Sequence, residues 1–425
     1  MAQTSLWRNR DFMLLWSGQV VSTIGIRVSS LGYPLLVLAM TASPARAGLV
    51  GFAQTLPYLL CYLPAGALVD RWNRKRVMLA SDAGRALALG GVAVALALDV
   101  LTLPMILAAA FAEGVLFVFF QLSEGAALPH VVTRDQLPTA LAQNQAREQG
   151  AELVGQPLGG VLFGISRVLP FAFDAGSYLV SFVTLLFIRP ALQAERARVP
   201  VRLRAEIAEG VRWLWGQRFL RALVALIGLT NWVFNALFLV VIVRAQRLGA
   251  SPAVIGLVFA GYGAAAIAGA VAAPALQRRL SPRLVILGSL WVWAAVIALL
   301  ALASTPLALG VIVALTAPIG PLFNVVVGRY RYALTPDRLQ ARATSVARLV
   351  AWGTIPLGTL SGGVLVQAAG AVPTVLMLAA ALAAVAAVAT ALRTVRTPPA
   401  LPAPPGLPTR PSRATAASRG RCPPR

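Results

Sequence analysis

Apolar residues in this chain come in long, nearly unbroken runs, without the alternation that a helix half-exposed to water would show. An α-helix rises 1.5 Å per residue, so crossing a bilayer's hydrocarbon core takes about 20 mostly apolar residues. Twelve runs meet that length: 12–39, 47–69, 77–98, 102–122, 140–164, 168–188, 219–243, 251–276, 283–303, 306–327, 343–367 and 371–392. Several are longer than the minimum, which predicts tilt or extension into the interface. The polar breaks are short except for 189–218, which is amphipathic around Ile207, Val211 and Leu214 and is expected to lie along the cytoplasmic surface. Residues 393–425 are rich in Pro, Ala, Arg, Ser and Thr, and such a stretch buries too little apolar surface to order itself.

The runs repeat. Ser43-Pro44-Ala45-Arg46-Ala47-Gly48-Leu49-Val50 returns as Ser251-Pro252-Ala253-Val254-Ile255-Gly256-Leu257-Val258, and Arg71 falls on Arg279 at the same offset of 208. Asp135-x-Leu137 returns as Asp337-x-Leu339, and Gly159-Gly160 as Gly362-Gly363, offsets of 202 and 203. Four matches in one order at nearly one spacing predict duplication. The expected architecture is an all-α membrane protein of twelve transmembrane helices in two duplicated six-helix halves, 1–188 and 219–392, joined by a cytoplasmic linker, 189–218, and followed by a disordered cytoplasmic tail, 393–425. Halves of this kind rock about a shared central site near the bilayer midplane.

Composition supports this reading: 58% of residues are hydrophobic, 12% are charged and the mean hydropathy is +0.76. A soluble domain needs about twice that share of charge. The net charge of +23 would suggest nucleic acid were it clustered. Instead, 28 of the 37 basic residues fall in alternate loops and termini on one side of the predicted spans, which places both termini in the cytoplasm and excludes a nucleic-acid partner. Cys61 and Cys422 form no disulfide framework or zinc spacing. The single histidine, His130, leaves no histidine metal site or general base. No metal or cofactor is expected, and no phosphate-binding Gly-x4-Gly-Lys-Ser/Thr loop occurs, so ATP is not the energy source. A membrane-embedded enzyme would need a nucleophile or metal cluster that the chain lacks.

The loop after the second run reads Gly66-Ala67-Leu68-Val69-Asp70-Arg71-Trp72-Asn73-Arg74-Lys75-Arg76. It resembles the signature loop of the major facilitator superfamily, with Asn73 where a second glycine is usual, a residue that also tolerates positive φ. The resemblance implies the major facilitator fold and a conformational-switch role for Gly66, Asp70, Arg71 and Arg74. Gly66 is expected to let helices approach closely, and Asp70 to accept hydrogen bonds from a neighbouring helix N-terminus. The fifth run carries Gly155-Gln156-Pro157-Leu158-Gly159-Gly160, similar to the glycine-proline motif of the superfamily's drug antiporters. Gly155, Pro157, Gly159 and Gly160 are expected to serve helix packing. Leu14-Leu15-Trp16-Ser17-Gly18-Gln19, Leu128-Pro129 and Asp135-Gln136-Leu137-Pro138 resemble the macrolide-efflux and enterobactin-exporter branch.

Ionisable groups inside hydrocarbon cost about 2.5–3.5 kcal/mol each on insertion scales, so each is a site candidate. The candidates for substrate or proton handling are Arg27, Glu113, Arg147, Glu148, Glu152, Asn231, Asn235 and Arg348. Glu148 and Glu152 share one helical face, as do Asn231 and Asn235. Asp82 and Arg85, three apart, read as a local ion pair, and Asp174 as a bond to a neighbouring helix. Arg147 and Arg348 either snorkel or pair across a gate. A buried, unpaired carboxylate tends to take a proton, so Glu113, Glu148 or Glu152 suits proton coupling. Phe119, Trp232, Phe234 and Phe238 either line a site for a bulky amphiphile or pack against lipid and protein.

The expected function is secondary active export of a small molecule, drug-like or a siderophore, by a monomer in a bacterial inner membrane, with protons as the coupling ion and lipids as its surroundings. Uptake or lipid flipping by the same fold remains open, as does a sensor that no longer transports.

Overall fold

The computed structural model describes residues 6–189, 192–193, 203–336 and 339–399, and these fold into helices with no strand among them. In chain order they are α1 (Arg10–Thr41), α2 (Pro44–Leu60), α3 (Tyr62–Val69), α4 (Arg74–Ala97), α5 (Leu103–Val131), α6 (Leu137–Ile165), α7 (Leu169–Leu186), α8 (Leu203–Gly216), α9 (Arg218–Arg247), α10 (Pro252–Arg279), α11 (Pro282–Leu299), α12 (Pro306–Thr316), α13 (Ile319–Leu334), α14 (Gln340–Ala369), α15 (Ala371–Ala391) and α16 (Arg393–Arg396). Polar residues set where many of them begin. The side chains of Asn9, Ser43, Asn73, Ser251, Ser281 and Thr305 each accept a bond from an otherwise orphaned N–H of the first turn. Proline follows at the first helical position of α2, α10, α11 and α12, where its missing donor costs nothing.

Ten of these helical stretches are long and apolar enough to cross a membrane, and α2 with α3, bent by 52°, makes eleven. That bend falls at Cys61, inside the expected second span. The expected tenth span is likewise two helices, α12 and α13, separated at Ala317 and Pro318. The remaining expected span is α6. Its 29 residues suffice in length, but Arg147, Glu148 and Glu152 together with five Asn and Gln between 143 and 156 keep it out of the apolar class. Its polarity is what brings chemistry into the interior.

Packing follows one scheme twice. α1 lies along α6 and α7, α4 along α5 and α7, and α2 along α5. Correspondingly α9 lies along α14 and α15, α11 along α13 and α15, and α10 along α12 and α13. Two long crossings, α2 with α14 and α6 with α10, join the sets. Both are made by glycine near the Arg-poor end of the helices. A Cβ at Gly48 would sit 2.7 Å from the Thr359 carbonyl oxygen and 2.9 Å from the Gly363 Cα. A Cβ at Gly256 would sit 2.7 Å from the Gln156 carbonyl oxygen and 2.8 Å from the Pro157 Cα, and one at Gly160 would collide with the Pro252 carbonyl. Within the sets, Gly159 abuts Val28 as Gly362 abuts Ala236. The packing expected of Gly155, Gly159 and Gly160 is therefore present: all three face backbone or Cβ atoms of a neighbouring helix. Ser43 adds a hydrogen bond across α2 and α14, its Oγ donating to Gln367 Oε1 at 3.0 Å.

The linker helix α8 turns Leu214 inward and leaves Arg212 and Trp215 exposed. It packs against α9 and α14. The Ile207 side chain, residues 190–191 and 194–202, and Asp337 of the repeat lie outside what is described. The segment after 392, expected to be disordered, begins with α16, whose Val395 is buried against its surroundings; residues 400–425 fall outside the described residues.

A valine at Gly160 or Gly363 is expected to push two backbones apart at a cost of about 1–3 kcal/mol. In a chain with Cys61 and Cys422 changed to Ser and a cysteine at Thr55, a membrane-impermeant maleimide added at the Arg-poor end should label the Gly160→Val protein faster than its parent. Unchanged labelling together with an unchanged melting temperature would show that the crossing does not close that end.

Candidate functional site

Between the two sets of helices lies a cavity of about 450 Å³, within the size range of sites for drug-sized molecules. α1, α2 and α6 supply most of its polar wall: Arg27 and Tyr33, then Gln54 and Tyr58, then Glu152 and Gln156. α9 and α10 supply an aromatic wall from Phe234, Phe238, Phe259 and Tyr262, interrupted by Asn235. Phe238 and Phe259 pack with ring centroids 4.8 Å apart. Toward the Arg-poor end the cavity reaches Ala47 and Gly48, the residues of the glycine crossing. Toward the other end α2, α3 and α14 meet through aromatic rings. Trp352 packs on Tyr58 and Tyr62 at 5.9 and 5.1 Å, and Arg348 donates to the Tyr62 hydroxyl at 3.1 Å.

The charges on α6 form a chain leading into this cavity. Arg147, nearly buried, donates to Glu124 of α5 at 2.8 Å and to Glu148 at 3.3 Å. The other oxygen of Glu148 lies 3.6 Å from Arg27 of α1, which lines the cavity. Two cations and two carboxylates thus neutralise one another. A buried charge survives only when paired in this way. Glu152, one turn further along α6, is half-buried in the cavity wall and has no ion pair or hydrogen bond among the described residues. It is the carboxyl group that lines the cavity without a partner among the described residues.

Glu113 sits apart, behind the wall. It is 3% exposed and does not line the cavity. Tyr33 donates to its Oε2 at 3.1 Å, Gln54 to the same oxygen at 3.3 Å, and Tyr178 of α7 to Oε1 at 3.3 Å. Tyr33 and Gln54 are also cavity-lining, so this carboxyl touches the cavity through two intermediaries. The approach of α2 to α5 that makes this possible depends on Gly114, because a Cβ there would collide with the Gln54 carbonyl oxygen. Beside Glu113, the Arg85 guanidinium is held by Asp82 and lies over the rings of Phe120 and Tyr178 at 4.6 and 4.3 Å. Asp82 accepts from Ser181 at 2.6 Å, and Ser181 from Gln19 at 2.7 Å. The local pair expected of Asp82 and Arg85 is present, within a larger network. Asp174 accepts from the Ser177 hydroxyl of its own helix at 3.0 Å, while its Oδ2 has no hydrogen-bond partner among the described residues, so the bond to a neighbouring helix expected of it is not formed.

Of the candidate residues, Arg27, Glu152 and Asn235 line the cavity, and Glu148 and Arg147 stand directly behind Arg27. Asn231 does not: its amide donates to the Ala351 carbonyl at 2.7 Å and ties α9 to α14. Arg348 reaches across to Tyr62 and not to Arg147's partners. Phe234 and Phe238 face the cavity, whereas Phe119 stacks on Trp72 and Trp232 donates to Ser361. Glu148 and Glu113 are not unpartnered as expected; Glu152 is. Sequence reading passed over Tyr33, Gln54, Tyr178 and Glu124. The first three look like ordinary interruptions of apolar runs, and Glu124 lies beyond the expected end of its span because α5 continues to Val131.

The signature loop is anchored through its cations. Arg74 donates to the carbonyls of Ala126 and Leu192 at 2.8 and 3.3 Å, and Lys75 to those of Leu186 and Ile188 at 3.0 and 2.7 Å. Asp70 pairs with Arg74 at 3.8 Å in place of the helix N-terminus expected for it. Gly66 is not used for close approach here: a Cβ there meets nothing within 4 Å. Arg71 is exposed.

A bundle of membrane-crossing helices enclosing a polar-and-aromatic cavity, with a charge-anchored loop between its second and third runs, defines a multi-pass membrane transporter and not an enzyme. The family model described as transmembrane secretion effector matches residues 2–404, and the chain belongs to that family, within the efflux branch of the major facilitator superfamily. It is 28% identical over 394 residues to the multidrug efflux pump Tap of Mycobacterium tuberculosis (strain ATCC 25618 / H37Rv), covering 88% of this chain and 90% of that one. It is 27% identical over 381 residues to the multidrug efflux pump Tap of Mycolicibacterium fortuitum, covering 86% and 92%. Among solved structures, the nucleoside transporter NupG superposes with a TM-score of 0.72 at 12% identity, over 89% of this chain and 98% of that one. A bacterial homologue of the human lysosomal transporter Spinster, inward-facing and unoccupied, gives 0.70 at 14%, over 91% and 96%. These two likenesses establish the fold.

Removing one member of the Arg147 pair should be costly. Glu124→Ala leaves a buried guanidinium with only Glu148 and is expected to destabilise the protein by about 3–5 kcal/mol, read as a fall in melting temperature followed by tryptophan fluorescence in detergent. A melting temperature within error of the parent would show that Glu124 does not carry the charge balance.

Proposed function

We propose that the chain exports small amphiphilic molecules from the cytoplasm of a bacterium across its inner membrane, exchanging them for protons. Two six-helix halves, 1–188 and 219–392, rock about the cavity, with α6 as a twelfth span and 189–218 as the cytoplasmic linker. The observation that carries this reading is a drug-sized cavity built from both sets of helices, closed by glycine crossings at its Arg-poor end and holding the unpaired carboxylate of Glu152. With the Arg-rich loops in the cytoplasm, the glycine crossings close the end that faces outward. Similarity to pumps named for multidrug efflux supports the direction.

Residue roles follow from placement. Glu152, Asn235 and the aromatic wall contact substrate. Arg27 is held by Glu148 and shapes the polar wall. Glu113, shielded from the cavity but linked to it, is the proton carrier: its carboxylate takes a proton from the outside water when that face is open and returns it to the cytoplasm when the other opens. Asn231 and Arg348 act on the contacts between helices.

In everted vesicles with an acid interior, uptake of a fluorescent cation such as ethidium should follow the pH gradient. Glu113→Gln is expected to reduce gradient-driven uptake to the level of vesicles without the protein. Glu152→Gln is expected to weaken binding about tenfold, equivalent to about 1.4 kcal/mol, while leaving coupling in place. Full gradient-driven transport in a protein with Glu113, Glu148 and Glu152 all changed to Gln would overturn proton coupling.

A further inference from the structure

Gln54 occupies a position that neither the cavity nor the carboxyl behind it explains alone. Its side chain lines the cavity, and its Nε2 donates to Glu113 at 3.3 Å. An ionised carboxylate only accepts, so it must be met by the NH2 end of the amide, which leaves the Gln54 carbonyl oxygen for the cavity. Once Glu113 carries a proton, its O–H is a donor and needs an acceptor. The Tyr33 and Tyr178 hydroxyls either donate or accept and accommodate both states. An amide has one donor end and one acceptor end, and it can serve the protonated acid as an acceptor only by turning over.

We infer that Gln54 converts the protonation state of Glu113 into the hydrogen-bonding polarity of the cavity, and that the molecules so sensed are organic cations bearing N–H groups. With Glu113 ionised, the cavity offers the Gln54 carbonyl oxygen, the unpaired Glu152 carboxylate and the faces of Tyr58, Phe238 and Tyr262, a set that suits an aromatic or alkyl ammonium. With Glu113 protonated, the same wall presents an NH2 group toward the substrate's own N–H, and the cation is disfavoured. Proton and substrate then exclude each other without touching, as exchange requires. Only one O–H bond forms and breaks, at Glu113, with water as donor and acceptor. This inference rests on the proton-exchange reading above. The charged or titratable groups facing Glu113 from its neighbours are Tyr33 of α1, Tyr58 of α2, Arg85 of α4, and Asp174 and Tyr178 of α7.

The test is ethidium binding to the purified full chain in detergent, by fluorescence anisotropy across an acid-to-alkaline series. The parent should bind about tenfold more tightly at the alkaline end. Gln54→Met keeps the volume but has no polarity to reverse, and its affinity should change less than about twofold across the series. Gly114→Ala, which parts α2 from α5 without touching the cavity chemistry, should flatten the response as well and serves if Gln54→Met melts early. Glu113→Gln should bind weakly at every pH, and Glu152→Gln more weakly than the parent with the pH response retained. A parent-like response in Gln54→Met, or no ethidium binding by the parent at the alkaline end, overturns the inference. If Glu113→Gln abolishes gradient-driven uptake while Gln54→Met responds to pH as the parent does, proton exchange stands and the role of Gln54 falls. If Glu113→Gln leaves uptake coupled, the proton-exchange reading falls with it.

Discussion

Contact between bare backbones is the constraint on which the rest of this structure depends. Helices in lipid gain little from burying apolar side chains against one another, because the tails are equally apolar; close approach and van der Waals contact hold them instead. Gly48 against Gly363 and Gly160 against Pro252 let α2 meet α14 and α6 meet α10 at a separation no larger residue would permit. These contacts fix where the two sets of helices touch and therefore where they part to leave the cavity. Among the described residues these spans share few hydrogen bonds: Ser43 to Gln367, and Arg348 to Tyr62 where α2 continues into α3. An interface held chiefly by packing of small residues separates at a lower cost than one held by buried ion pairs, which suits a surface that has to open and reclose on the proposed cycle.

Charge is handled in the opposite manner. The pairs Arg147–Glu124 and Arg85–Asp82 are buried within the first set of helices, and Arg147–Glu148–Arg27 links α6 to α1 inside that set. None of these bonds spans the α2–α14 or α6–α10 crossing. Separating the crossings would leave every buried charge with its partner, so the electrostatic cost of motion stays small. The ion pairs tie the helices of one set to each other, and the junction with the other set is made of glycine contacts.

Much of the architecture was legible because its causes are local. Run length gives spans, Ser-Pro and Asn mark helix starts, and the repeat at offsets of 203 and 208 reappears as matched contacts: Gly159 on Val28 and Gly362 on Ala236. The breaks at Cys61 and at Ala317–Pro318 were not legible, since neither interrupts apolarity. The site was legible only where polarity is costly. Arg27, Glu148 and Glu152 stand out in apolar runs, and two of them line the cavity. Gln54, Tyr33 and Tyr178 did not stand out, because tyrosine and glutamine are ordinary in a membrane helix until a carboxyl is placed beside them. That placement depends on Gly114, a residue whose importance lies in what it omits.

The repeat also shows what the duplicated sets no longer share. At the same offsets, Arg27 corresponds to Asn235, Gln54 to Tyr262, Glu113 to Thr316 and Glu152 to Ile355. These four positions are charged or amide in the first set and neutral or aromatic in the second, while the glycines at 48, 155, 159 and 160 are glycine in both. Backbone contact is symmetrical, as the proposed closing of both crossings together requires. Side-chain chemistry is not, and a cavity with one polar and one aromatic wall suits the amphiphile proposed for it, one wall for each end. On the proposed exchange, a single titrating carboxyl behind the polar wall is enough to change the hold on the polar end, while the aromatic wall keeps its grip on the other.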